Sequence, residues 1–424
     1  MENETPQTQT ASKFSLWKKE SLLFLAILGP GIITSMVDND AGGITTYSIA
    51  GAHFGFALLW SMIPIMIILI IIQEMCARMG VVTGKGLSDL IRENFGIKVT
   101  FYLLVVVLIV NFGNILSEFA GVTAAGELAG TNKFILIPLC ILFVWFLVLK
   151  GKYTNVEKVF LFATLFYLSY VVSAFITRPD WSAVGHGLIF PHLEHSKQYL
   201  MVLVALIGTS ISPWMLFYLQ SSIVEKGIKF KDYKYTRWDI IIGSVLVCTI
   251  ATFIIIVCAS TISKEGITIE TAKDAALALG PLAGNYAKFL FALGLFGASL
   301  FAMSILPLST AYTFCEGMGW ESGINKTFKE APSFYSLYAG LLIFGGLIIL
   351  FISEQYLISI MYISQVINGI LIPIIFYYII KLASNKKLMG EYTNSNLMNY
   401  VSYIICFVMV IINLFFLGTT FNII

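Results

Sequence analysis

The chain is poor in charge. Only 12% of its 424 residues are Asp, Glu, Lys or Arg, while 58% are hydrophobic. That charged share is about half of what a soluble domain carries, and a mean hydropathy of +0.86 leaves little polar surface for water. Basic residues form no stripe with interleaved aromatics, which excludes a nucleic-acid partner. Histidine is scarce: His53, His186, His192 and His195 are the whole complement, all at loop-like or boundary positions. Neither an HExxH string nor a nucleophile–base pair occurs, so enzymatic chemistry and a resident cofactor are not expected. The six cysteines (Cys76, Cys140, Cys248, Cys258, Cys315, Cys406) show no CxxC or zinc spacing and read as packing residues. The first twenty residues lack the apolar core and cleavage site of a signal peptide and are expected to form a disordered cytosolic tail.

What the sequence has in abundance is apolar length. Eleven runs are long enough for a hydrocarbon core of roughly 30 Å: residues 21–51, 55–77, 99–126, 133–150, 156–177, 198–224, 239–263, 284–314, 333–353, 355–382 and 397–420. The longest loop, 178–197, leaves no room for a soluble domain, so residues 21–424 are expected to form one all-α polytopic membrane domain. Alternate loops carry 20 and 6 of the 26 Lys and Arg. The positive-inside rule then places the amino terminus in the cytosol and, with an odd span count, the carboxyl terminus outside.

Two spans are interrupted. The first contains Gly29-Pro30-Gly31 and then Asp38-Asn39-Asp40-Ala41-Gly42-Gly43; the sixth contains Gly208-Thr209-Ser210-Ile211-Ser212-Pro213. Carboxylates at mid-depth cost several kcal/mol unless the helix unwinds onto a polar site. Proline removes a backbone donor and frees a carbonyl one turn earlier. Breaks five spans apart give two five-span units of opposite orientation, about 21–177 and 198–382, with 397–420 left over. That is the arrangement of inverted-repeat transporters, whose site lies between two discontinuous helices.

Several strings resemble the NRAMP divalent-metal transporters. Gln73 to Phe95, QEMCARMGVVTGKGLSDLIRENF, is similar to the family's second-span signature. Ser364-Gln365-Val366 with Pro373, Glu118-Phe119-Ala120-Gly121, and the segments flanking the first break add to it. The resemblance covers ten spans and implies a LeuT-like fold of two inverted five-helix repeats plus an eleventh helix, with helices 1 and 6 broken. It further implies transport of a divalent cation across the cell membrane, and the pseudo-symmetric chain is expected to suffice as a monomer.

The departures carry the chemistry. Where the family has Asp-Pro-Gly-Asn this chain has Asp40-Ala41-Gly42-Gly43, so Asp40 is kept and Gly43 replaces a metal-binding Asn. Where the family has Ala-Thr-Val-Met-Pro-His it has Thr209-Ser210-Ile211-Ser212-Pro213-Trp214, so Ser212 replaces a thioether ligand. A thioether favours transition metals, and oxygen ligands suit magnesium. Magnesium also keeps several waters and uses one or two carboxylates. The resemblance is therefore closest to the NRAMP-related magnesium transporters, with Mn2+ as a second cargo. The metal set it implies is Asp40, Asp38, Asn39, Gly43, Thr209 (through its carbonyl), Ser212, Gln365 and Asn368. The competing roles are helix capping for Asp40 and Asn39, satisfaction of freed backbone for Ser212, and packing for Trp214 and Met215. In the family an Asp of span three and histidines of span six move protons. Here Ile115 stands three residues before Glu118 and span six has no histidine, so uncoupled transport is expected. Glu118 remains as the possible proton-carrying or supporting group. A proton-coupled Mn2+/Fe2+ transporter and a sodium-coupled amino-acid symporter are the alternative readings.

Overall fold

A computed structural model describes residues 30–150 and 164–421. The expected tail at 1–20, the start of the first span and the beginning of the fifth lie outside the described residues. Inside them the chain is helical. The first span is two helices, α1 (Pro30–Val37) and α2 (Ala41–Phe54). The second is α3 (Met62–Thr83), followed by a connecting helix α4 (Leu87–Phe95), and the third is α5 (Ile97–Leu128). The fourth is α6 (Lys133–Lys150), and the described end of the fifth is α7 (Leu168–Ile176). A further short helix α8 (Trp181–Ile189) lies in the stretch expected to be loop. Asp180 nucleates it by accepting from the Ser182 N–H at 2.9 Å, a capping signal that the apolar-length criterion does not weigh.

The sixth span is again two helices, α9 (Lys197–Ser210) and α10 (Pro213–Glu225). Then follow α11 (Tyr233–Ser260), α12 (Ala287–Met318), α13 (Pro332–Phe351), α14 (Leu357–Ala383) and α15 (Asn396–Thr420). Eight helices of the described residues are long and apolar enough to cross a membrane, and Lys133–Val148 is a shorter apolar one. Both α5 and α12 run for 32 residues. At 1.5 Å per residue each is about 48 Å long, beyond the hydrocarbon thickness, which a tilted helix accommodates.

Burial sorts the helices by role. In the apolar window of the sixth span 94% of residues are buried, against 33% in α15. The broken span therefore sits at the centre and the last helix at the rim. Rim faces present large apolar side chains outward, such as Phe134, Phe143 and Phe146 of α6 and Phe407 and Leu414 of α15. In lipid those faces need no polar cover.

The centre is held by close backbone approach. A Cβ on Gly208 of α9 would lie 2.0 Å from the Gln365 carbonyl oxygen and 2.3 Å from the Gly369 amide nitrogen of α14. Without a hydrophobic driving force between helices in lipid, small residues are what allow such contact. Gly208→Ala should destabilise the protein by about 1–3 kcal/mol through overpacking, measured as a loss of thermal stability in detergent. Gly340→Ala, where the new methyl meets nothing within 4 Å, should leave stability unchanged or slightly raised.

Candidate metal site

Each break is built by a different local rule. In the first, α1 stops at Val37 and Asp40 starts α2 as its N-cap, accepting from the Gly43 N–H at 2.7 Å through Oδ1. The three intervening residues carry their polar side chains into the interior; Asp38, Asn39 and Asp40 are at most 4% exposed. The far end of α1 is also held: Oδ2 of Asp239, on α11, accepts from the Gly31 N–H at 2.7 Å. In the second break α9 ends at Ser210, and Pro213 opens α10 at a position where its missing N–H costs nothing.

The two breaks face each other. The Ser212 hydroxyl lies 3.4 Å from Asp38 Oδ1 and 2.9 Å from the Gly208 carbonyl. A Cβ on Gly43 would sit 3.4 Å from Thr209 Oγ1 and only 2.5 Å from the Asp38 carbonyl oxygen. No side chain fits at Gly43 without moving that carbonyl. Gly43 accordingly contributes backbone and space. Gly42 does the same for α14: its Cβ would fall 1.9 Å from Gln365 Nε2.

Among the sequence-selected residues, the structure therefore brings Asp38, Asn39, Asp40, Gly43, Thr209, Ser212 and Gln365 to one buried locus. Unpaired atoms collect there. Asp38 Oδ2, both amide atoms of Asn39 and Thr209 Oγ1 are buried and lack a hydrogen-bond partner. Such orphans cost about 1–3 kcal/mol each when nothing binds them. The Thr209 carbonyl, the atom the resemblance selects, accepts the Ser212 hydroxyl at 3.3 Å; its own hydroxyl is the free group. Glu118 joins from α5: Oε2 accepts from the Ala41 N–H at 3.3 Å and Oε1 is unpaired. Among the described residues no group of three or more His, Cys, Asp or Glu could hold a metal. Any cation here relies on amide, hydroxyl and carbonyl oxygens beside the carboxylates.

Asn368 is one step removed. It pairs reciprocally with Asn114 of α5, both N–H···O distances being 2.9 Å, and donates at 2.8 Å to Gln365 Oε1. It thus orients Gln365 while its own amide is fully used. Asn114 was not singled out from the sequence, although Asn111, Asn114 and Glu118 recur at 3 and 4 residues along one apolar helix. Tyr167, whose hydroxyl donates to the Asn39 carbonyl, was also missed, as was Tyr47, paired with Ser210 Oγ at 3.1 Å. Nothing in their neighbouring sequence marks them.

The sulfurs nearby are engaged, and the histidines lie apart from the breaks. Met215 Sδ is buried and accepts from Gln73 Nε2 at 3.1 Å. Met361 Sδ, one turn before Gln365, takes the Thr45 hydroxyl at 3.6 Å. Trp214 is fully buried. His53 contacts Gln198 at the end of α2, and His192 offers its carbonyl to Trp60 and Tyr199.

The comparisons identify the family and the fold. The family model for natural resistance-associated macrophage protein-like chains matches residues 31–419. A mutant of the Eremococcus coleocola manganese transporter superposes with a TM-score of 0.74 at 16% identity, covering 92% of this chain and 86% of that one. MhsT in complex with L-phenylalanine gives 0.59 at 13%, covering 90% and 98%. Mhp1, a nucleobase-cation-symport-1 family transporter, gives 0.57 at 13%, covering 92% and 89%. At these identities the likeness establishes the fold, which is LeuT-like.

Asn114→Leu should leave the Asn368 amide half-unsatisfied and lower stability by about 1–3 kcal/mol. Thermal unfolding of the variant measures this. Asn114→Leu/Asn368→Leu should recover part of the loss, because replacing both partners removes the orphan.

Proposed function

Since the chain belongs to the natural resistance-associated macrophage protein-like family over residues 31–419, whose members are transporters and not enzymes, we propose that it carries divalent cations across the membrane. Metal is then cargo, not cofactor. Mg2+, partly hydrated, is the main cargo and Mn2+ a second one. The observation that carries this reading is the donor set at the facing breaks. The free atoms are oxygens and one amide nitrogen, from Asp38, Asn39, Thr209 and Glu118, while the nearby sulfurs of Met215 and Met361 are engaged. Hard oxygen donors with few protein ligands suit an ion that retains waters. Asp40 and Asp38 supply the charge, Ser212 and Gln365 meet retained waters, and Asn368 steadies Gln365.

Transport is uncoupled from protons. The four histidines lie away from the breaks, and the driving force is the ion gradient with the membrane potential. That potential supplies about 4.6 kcal/mol for two charges at 100 mV. One chain is enough, residues 21–424 act as one membrane domain of the cell membrane, and the amino terminus faces the cytosol.

Proteoliposomes holding a Mg2+ indicator and a pH dye test this. Saturable Mg2+ influx that competes with Mn2+ and leaves the internal pH unchanged is expected. Asp40→Asn and Asp38→Asn should each reduce it by about tenfold or more, the loss of one charged ligand being worth at least ~1.4 kcal/mol. Entry of Mn2+ with protons while Mg2+ stays out would overturn both the cargo and the coupling.

A further inference from the structure

A cavity of about 370 Å³ lies away from the metal site, between α3, α11 and the segment that leads into α15. It is on the side of the bundle that carries most of the lysines and arginines. One wall is aliphatic, made by Ile70, Ile71, Ile240 and Ile241. The other is polar and holds Arg78, Arg237, Glu74, Thr393 and Ser395.

The charges there are unequal in availability. Arg78 is saturated: Nε donates to Glu74 Oε1 at 3.0 Å, and its other N–H groups reach the Tyr392 carbonyl and Asn394 Oδ1. Glu74 is used from both sides, since it also accepts the Tyr233 hydroxyl. Arg237 is exposed and has no hydrogen-bond or ion-pair partner among the described residues. Among the described lining residues, two arginines against one carboxylate leave one positive charge, carried by Arg237. Trp238, 58% exposed, and Tyr400, 70% exposed, flank this region. Outward-facing Trp and Tyr mark the headgroup level of a bilayer.

We propose that this cavity binds an anionic phospholipid of the adjoining leaflet. The Arg237 guanidinium forks the phosphate, Thr393 and Ser395 meet the glycerol oxygens, and the first acyl methylenes lie along the isoleucines. A planar guanidinium matches phosphate with two parallel hydrogen bonds. Basic pockets between membrane helices suit such headgroups. A free phosphate would leave the aliphatic wall unfilled, and a zwitterionic lipid would bring a second cation to a cavity that is already positive. The bound lipid would brace α3 against α11 beside Asp239, the residue whose carboxylate caps α1. The site therefore bears on the base of the first broken span.

Detergent-purified full-length protein, depleted of lipid, provides the test. Thermal unfolding and native mass spectrometry are followed while phosphatidylglycerol, phosphatidylcholine or inorganic phosphate is added. Saturable stabilisation by phosphatidylglycerol alone is expected, together with a retained one-lipid adduct. Arg237→Gln should keep the unliganded melting temperature and weaken phosphatidylglycerol binding about ten- to hundredfold. Lys231→Gln, an exposed cation on the same side, should bind like the parent. Equal stabilisation by phosphatidylcholine, equal effect of phosphate alone, or unaltered binding by Arg237→Gln would each overturn the proposal.

Discussion

Backbone amides and carbonyls in a hydrocarbon medium must find partners inside the protein, and this requirement governs the rest of the structure. A helix that stops at mid-depth exposes up to four donors or four acceptors at its broken end. The chain breaks two helices in the interior of the bundle, at 38–40 and at 211–212. Each freed group must then be met by a neighbour or by cargo. Asp40 meets the Gly43 amide, Glu118 the Ala41 amide, Tyr167 the Asn39 carbonyl and Ser212 the Gly208 carbonyl. Between the breaks, Asp38 Oδ2, the Asn39 amide and Thr209 Oγ1 remain unpaired.

The same constraint explains the division of labour among carboxylates. Asp40 has one oxygen committed to a cap, and Asp38 presents Oδ2 without a partner. Capping and ligation are compatible, because a carboxylate has two oxygens and about four lone-pair directions. Asp239 serves at the other end of α1, where its oxygens take the amides of Gly31 and Ile32. Carboxylates therefore cap the starts of both α1 and α2, one from 208 residues away and one at the break itself.

Around the breaks, amide side chains form a network that packing alone would not need. Asn114, Asn368 and Gln365 link α5 to α14, and Asn111 bonds Thr310 at 3.1 Å to link α5 to α12. Buried polar networks rigidify where their members are satisfied, as in the Asn114–Asn368–Gln365 part of this one, whereas Asn111 Oδ1 is unpaired. Here they fix the position of Gln365, which in turn requires the bare backbone of Gly42.

Much of this was legible in the sequence, for identifiable reasons. Apolar length marks spans because lipid thickness is fixed. Gly-Pro-Gly, the Asp-Asn-Asp run and Ser-Pro betray the breaks because each is costly in a continuous lipid-embedded helix. Those signals are local, so they located both breaks and the residues at them. The helix within 178–197 escaped because its signal is a cap, Asp180, and not apolar length. Which atom of each residue is free was not legible. Thr209 offers its hydroxyl because Ser212 takes its carbonyl, and Gly43 is bare because the Asp38 carbonyl passes 2.5 Å from where a Cβ would stand. Asn114 and Tyr167 joined the site only through contacts 254 and 128 residues apart in the chain. The sequence by itself determined that the chain spans a membrane with two helices unwound around carboxylates, since hydrophobicity and helix breaking act over a few neighbouring residues. The tertiary structure alone decided which oxygens face one another, because hydrogen bonds between distant helices determine which neighbouring groups are already engaged.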